Sequence, residues 1–212
     1  MSNEPGGTPV VYVVDDDDSM RAALSMLLRS VGLHAQAFPS AQEFLAHKQA
    51  DAPSCLVLDV RLKGQSGLVV QEQITAVGLP IPIVFMSAHG DVAMTAKAMK
   101  AGATDFLAKP FRDQDMLDAV SSALARDAAR RTSDQSGADL RRRYQSLTPR
   151  EREAMALVVR GLTNRQIAAG MNLSAITVKL HRGQAMKKMG SKSLADFVLK
   201  AEALGLVSGA LS

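Results

Sequence analysis

The chain has 212 residues, enough for one or two domains, and its single cysteine, Cys55, excludes an internal disulfide. No apolar run approaches the ~18–20 residues that span a bilayer, and Met1-Ser2-Asn3-Glu4-Pro5-Gly6-Gly7 lacks the basic start and apolar core of a signal peptide. Residues 1–126 carry 10 Lys+Arg against 14 Asp+Glu, and residues 127–212 carry 15 against 7. An acidic module that meets a metal or a partner, followed by a basic one that meets a polyanion, is therefore expected in a cytoplasmic protein with no membrane partner.

In chain order, the first apolar run is Val11-Tyr12-Val13-Val14, which ends in Asp15-Asp16-Asp17. A β-type run ending in carboxylates looks like a buried parallel strand delivering charge to the rim of a sheet. Met20, Leu24, Leu27 and Leu28 then recur at helical spacing, and Gly32 ends that helix. Asp17 and Asp18 read as residues at its positive N-terminal end. Ser40-Ala41-Gln42-Glu43 is a capping box opening a second helix. Cys55-Leu56-Val57-Leu58 ends in Asp59, Ile83-Val84-Phe85-Met86 in Ser87, and Asp105-Phe106-Leu107-Ala108 in Lys109-Pro110. Cys55 lies inside an apolar strand and reads as core.

Alternation of such runs with helical patterns predicts a doubly wound parallel sheet of about five strands and five helices. In that class, ligands bind outside the carboxyl ends of the strands. Taken singly, an Asp after a strand is ordinarily a turn or cap residue, and Lys109 would be a solvated charge. Four strand ends carrying acids, a hydroxyl and a lysine together describe a phosphoryl-transfer site built around a divalent metal.

After residue 145 the helix-start signals come at close intervals. Thr148-Pro149-Arg150-Glu151 and Thr163-Asn164-Arg165-Gln166 are capping boxes, Ser174 caps a third helix, and Ser191 or Ser193 a fourth. These helices can share a core of Met155, Leu157, Val158, Ile167, Ala168, Leu173, Val178 and Met186. Gly170-Met171-Asn172-Leu173 separates the second from the third at the spacing of a helix-turn-helix. Between the modules, Asp127 to Tyr144 contains Ser133-Asp134-Gln135-Ser136-Gly137 and reads as a polar linker, partly helical at both ends. Arg141-Arg142-Arg143 could add phosphate contacts or simply keep it soluble.

The pattern Asp15, Asp16, Asp59, Ser87, Lys109, Pro110 resembles the receiver domain of two-component response regulators. The run Gly90-Asp91-Val92-Ala93-Met94, continuing through Ala98 to Phe106, is similar to the FixJ-like subgroup. Leu147-Thr-Pro-Arg-Glu-Arg-Glu, Gly161-Leu-Thr-Asn-Arg-Gln-Ile-Ala and Leu173-Ser-Ala-Ile-Thr-Val-Lys-Leu-His-Arg resemble the LuxR/NarL-type helix-turn-helix. The resemblance implies a flavodoxin-like receiver at 8–126, a linker at 127–145 and an all-α four-helix DNA-binding domain at 146–212.

It further implies that Asp59 accepts a phosphoryl group from a sensor histidine kinase, with Lys109 and Ser87 holding its oxygens. Mg²⁺ would be held by Asp16 directly, by Asp15 through water, by Asp59 and by the backbone carbonyl of Arg61. Lys109-Pro110 would be a cis peptide, and Ser87 with Phe106 would form the switch. Val92, Thr95 and Ala96 would lie on the face that dimerises on phosphorylation. Lys179, Arg182, Gln184 and Lys187 would face DNA bases or phosphates, and Thr177, Asn164 and Lys188 would contact phosphates of a palindromic duplex; RNA polymerase would be a further partner. His181 reads as structural or phosphate-contacting. Gly183 stands at a family contact position, and Lys63 stands where receivers often have proline, which should loosen that loop. A constitutive DNA binder that has lost switching, and a phosphatase or stand-alone phosphotransfer protein, are the competing readings; the intact acidic site opposes the first and the complete helix-turn-helix the second.

Overall fold

The computed structural model describes residues 7–88 and 92–206, so Gly90 and Asp91 of the FixJ-like run and the last residues of the expected DNA-binding domain lie outside the described residues. The chain divides into two compact units at Arg131/Thr132.

In the first unit, β1 (Val10–Val14), β2 (His34–Phe38), β3 (Ser54–Asp59), β6 (Ile83–Ser87) and β7 (Asp105–Ala108) form one parallel sheet in the order β2-β1-β3-β6-β7. The intervening helices are α1 (Asp18–Ser30), α2 (Ala41–Ala46), α3 (Gly67–Ala76), α4 (Val92–Lys100) and α5 (Asp113–Gln145). Successive strand residues point to opposite faces, so each central strand feeds two cores. Tyr12, Val14, Leu56, Leu58 and Phe85 pack with Phe44, Val70, Ile74 and Ala98 from α2, α3 and α4. Val11, Val13, Cys55, Val57, Val84 and Met86 pack with Leu24 and Leu28 of α1 and Met116 and Val120 of α5. Burial pushes the Cys55 thiol up to about 12, so it remains a neutral core group.

Local chemistry sets the boundaries. Asp17 is the N-cap of α1, its carboxylate accepting from the Ser19 and Met20 amides, and Asp18 pairs with Arg21. Ser40 caps α2 by accepting from the Glu43 amide, while the Glu43 carboxylate accepts from the Ser40 hydroxyl. The loop after Asp59 carries Lys63 where receivers often have proline. It folds into a hairpin of β4 (Arg61–Leu62) and β5 (Gln65–Ser66), with Gly64 at φ 88° supplying the left-handed turn residue.

The segment expected as a polar linker helical only at its ends, 127–145, is helical throughout as part of α5. Asp127 is buried, accepts from the Ser54 amide at 3.0 Å, and pairs with Arg130 and Arg131; Arg131 also reaches Asp51 at 2.8 Å. Those bonds carry the first unit to Arg131, beyond residue 126. Further along, Asp139 pairs with Arg142 and Arg143. Spacings of three and four residues support helix, and they offset the weak propensity of Ser133-Asp134-Gln135-Ser136-Gly137.

In the second unit, α6 (Pro149–Val159), α7 (Asn164–Met171), α8 (Ala175–Lys188) and α9 (Leu194–Ala203) surround Met155, Val158, Ile167, Ala168, Met171, Val178, Ala185, Met189 and Phe197. Leu157, Leu173 and Met186 are only partly buried at its margin. Both capping boxes are formed, and Ser174 and Ser193 are the N-caps of α8 and α9. Gly170 and Met171 belong to α7 rather than to the turn, which is made by Asn172 in the left-handed conformation, φ 55° and ψ 46°. Asparagine tolerates that region better than most residues.

Candidate functional site

The sheet brings the four predicted strand ends together. Asp15 follows β1, Asp59 ends β3, Ser87 ends β6 and Lys109 follows β7. Lys109 Nζ donates to Asp59 Oδ2 at 2.5 Å and to Asp15 Oδ2 at 2.9 Å. The Arg61 amide donates to Asp59 Oδ1 at 2.9 Å and the Asp17 amide to Asp15 Oδ1 at 2.8 Å, so both carboxylates are oriented by backbone as well as by the lysine. Lys109-Pro110 is cis, and the Lys109 amide donates to the Ser87 carbonyl at 2.7 Å. Ser87 is fully buried, and Phe106 is half-buried with its ring 6.2 Å from that of Phe85.

The electrostatics follow from burial. Asp15 is 1% exposed, and desolvation raises its pKa despite the Asp17 amide and Lys109. Burial works against the Lys109 ammonium, yet its hydrogen bonds to Asp59 and Asp15 outweigh that and hold its proton above the ordinary lysine range. Asp16 stands apart: its carboxylate faces Lys63 at 3.5 Å.

Among the described residues no three His, Cys, Asp or Glu side chains form a ready-made metal cage. Asp15 and Asp59 nevertheless present oxygens to one cationic point, the Lys109 ammonium. Mg²⁺ takes one or two carboxylates and keeps several waters, so this donor set fits it.

Gly67, at the start of α3, was missed as a site residue. A Cβ there would lie 2.5 Å from the Asp59 carbonyl oxygen and 3.0 Å from Val60 Cα, so only glycine lets the helix approach the strand that carries Asp59. The Ser-Gly pair at the end of the loop was the available signal.

In the second unit, α8 turns Val178 and Ala185 to the core and exposes Lys179, Gly183, Gln184 and Lys187. Four of the expected phosphate or base contacts, Arg182, Asn164, Lys188 and Thr177, are engaged within the unit. Arg182 donates to Asn164 Oδ1 at 3.2 Å, and Lys188 pairs with the buried Glu151 at 2.7 Å. Thr177 shares its hydroxyl with Ser174 at 2.8 Å in the helix cap. His181 is half-buried. Glu151 receives the Thr148 amide as well; although burial raises its pKa, Lys188 and that amide hold it below the ordinary carboxylate range.

On the α4 side, Val92 is 87% exposed, Ala96 is exposed and Thr95 is half-buried. No helix among the described residues is long and apolar enough to cross a membrane.

A sheet of this order with a lysine bridging two rim carboxylates, joined in sequence to a helix-turn-helix unit, defines a signal-receiving transcription regulator. The response regulator receiver domain model matches residues 11–121, and that of the bacterial regulatory proteins of the luxR family matches 145–201. The chain belongs to the two-component response regulators with a luxR-type DNA-binding domain, which regulate transcription and are not enzymes.

It is 51% identical to nodulation protein W of Bradyrhizobium diazoefficiens, over 93% of this chain and 87% of that protein. The structure of response regulator StyR is similar at TM-score 0.85 and 46% identity, over 92% of this chain and 99% of that one. Full-length FixJ from B. japonicum is similar at TM-score 0.56 and 36% identity, over 95% and 98% of the two chains.

Proposed function

We propose that a partner histidine kinase phosphorylates Asp59 and that this drives pairing of two chains on a palindromic DNA site. The carrying observation is the Lys109 ammonium held between Asp59 and Asp15 at 2.5 and 2.9 Å. A cation already placed against the acceptor carboxylate is positioned to take up a phosphoryl oxygen as charge develops there.

An oxygen of Asp59 attacks phosphorus of the kinase phosphohistidine. The O–P bond forms as the N–P bond breaks, and the imidazole leaves with the electron pair. When bound, Mg²⁺ would supply charge neutralisation for the transfer. Asp15, Asp16, Asp59 and the Arg61 carbonyl are the groups that would hold it, Lys63 having to yield from Asp16. Lys109 then holds one phosphoryl oxygen and the Ser87 hydroxyl another.

The aspartyl phosphate adds roughly −1.5 to −2 charges, and Ser87 and Phe106 move towards it. The face carrying Val92, Thr95 and Ala96 responds by self-association; Val92, Ala96 and the 43% exposed Met99 form an apolar stripe on α4 that a second copy would cover. A two-fold pair presents two α8 helices about one DNA turn apart, with RNA polymerase as the downstream partner in the cytoplasm. Of the expected DNA contacts, Lys179, Gln184 and Lys187 are exposed as the reading requires; Arg182, Asn164 and Thr177 would first have to release their present partners, and Lys188 stays on Glu151 as a structural residue.

The test is phosphorylation by a small acyl phosphate with Mg²⁺, read by intact mass. One phosphoryl group is expected on the wild type and none on Asp59→Asn; equal labelling of both would overturn the assignment.

A further inference from the structure

Among the described residues, two strongly exposed large apolar side chains sit on the same helix. Ile176 is 76% exposed and Leu180 61% exposed, both on α8. At 100° per residue they fall on the line opposite the core-facing Val178 and Ala185, together with Gly183 and Lys187. Lys179 flanks that line on one side and Gln184 on the other, all of them exposed. A Cβ built on Gly183 would meet nothing within 4 Å, so no packing inside the unit accounts for the glycine. Helix α8 contains no acidic residue and ends in Lys187 and Lys188.

An apolar ridge with Lys179 on one flank and Lys187 at its C-terminal end, and a gap where a side chain would stand, suits a polyanionic partner with apolar groups at its floor. The major groove of DNA is such a surface. Its phosphates are anionic, and the one apolar group that a base presents there is the C5-methyl of thymine.

We propose that Ile176 and Leu180 read thymine methyl groups in the major groove. Gly183 lets the helix backbone approach the base edges, and Lys179 and Lys187 hold the bordering phosphates. The proposal rests on the reading of this unit as a sequence-specific DNA binder and adds which base feature it recognises. Specificity then comes from shape and apolar contact at those positions rather than from hydrogen bonds, since neither side chain has a donor or acceptor.

The experiment uses the full chain with Mg²⁺ and beryllofluoride. Duplexes are enriched from a randomised pool, and each thymine of the best duplex is replaced singly by deoxyuridine. That change deletes the methyl and leaves every hydrogen-bonding group in place. Losing one buried methyl should weaken binding about fourfold.

Such a loss is expected at one or two thymines per half-site for the wild type. It should vanish at one of them in Ile176→Ala or Leu180→Ala, both of which fold because the side chains face solvent. Unchanged affinity at every thymine would overturn the proposal, as would losses that persist in both variants. If the patch instead covers a protein, deoxyuridine does nothing while the variants alter the molar mass of the chain, which also overturns it. Failure to enrich any duplex is a distinct result that removes the DNA-binding reading itself.

Discussion

Replacing Lys188 by methionine separates two roles for this residue, because methionine keeps the aliphatic stem and removes the charge. In the structure the Lys188 ammonium lies 2.7 Å from Glu151 Oε2, and Glu151 is 2% exposed. Breaking a buried pair by deleting one partner typically costs about 3–5 kcal/mol. Two features reduce that here: the Lys188 side chain is 38% exposed, so water replaces part of the lost contact, and the Thr148 amide still reaches Glu151 at 2.8 Å. A cost of about 1–2 kcal/mol remains after that discount, which raises the open population roughly 5–30-fold.

Hydrogen exchange read by mass spectrometry should show that acceleration in peptides of α6 and α8 and none in the receiver sheet. In the same variant, the slope of log DNA affinity against log salt should stay unchanged, because a lysine paired with Glu151 releases no counterion. Unaltered exchange together with a slope reduced by about 0.9 would mean that Lys188 meets a phosphate, and the structural role would be refuted.

Three further outcomes follow from the same geometry. Gly67→Ala must displace the Asp59 carbonyl or α3, so a loss of about 1–3 kcal/mol in receiver stability is expected, with slower acyl-phosphate labelling; wild-type urea midpoint and labelling rate would contradict the close packing. Glu151 has a depressed folded pKa, so its stabilisation is present above the ordinary glutamate value of about 4.3 and is lost as pH falls through the folded value. Exchange in α6 should accelerate with acid more steeply for the wild type than for Glu151→Gln, and parallel profiles would remove Glu151 as the cause. Lys63→Ala removes a cation 3.5 Å from Asp16; as an exposed pair is worth at most about 1 kcal/mol, Mg²⁺ should bind up to about fivefold tighter by calorimetry, and weaker binding would show that Lys63 does not oppose the metal.

The receiver site was legible because its signals are local. Each strand announces its own end through an apolar run stopped by Asp15, Asp59, Ser87 or Lys109, and the parallel topology then gathers those ends. Helix starts were legible for the same reason, since a cap residue and its amide partner lie within three positions. The features that escaped depend on distant partners. Glu151 and Lys188 are 37 residues apart and Asn164 and Arg182 are 18 apart, so nothing in either neighbourhood shows that the lysine or the arginine already has a partner within the unit.

The segment after Asp127 misled for a different reason. Its Ser, Asp and Gly content has low helix propensity, but Asp127 is fixed by the Ser54 amide from β3, and ion pairs at helical spacing extend the helix onward. Tertiary anchoring overrode local preference. In the hairpin after Asp59, where Lys63 stands in place of a proline, Gly64 supplies the left-handed turn residue.

The central claim, that phosphorylation of Asp59 drives pairing, is tested most directly by the molar mass of the full chain. Light scattering with Mg²⁺ before and after adding beryllofluoride, a stand-in for the attached phosphoryl group, should show monomer becoming dimer in the wild type and no change in Asp59→Asn. A mass that beryllofluoride leaves unaltered, or a shift that persists in Asp59→Asn, would contradict it.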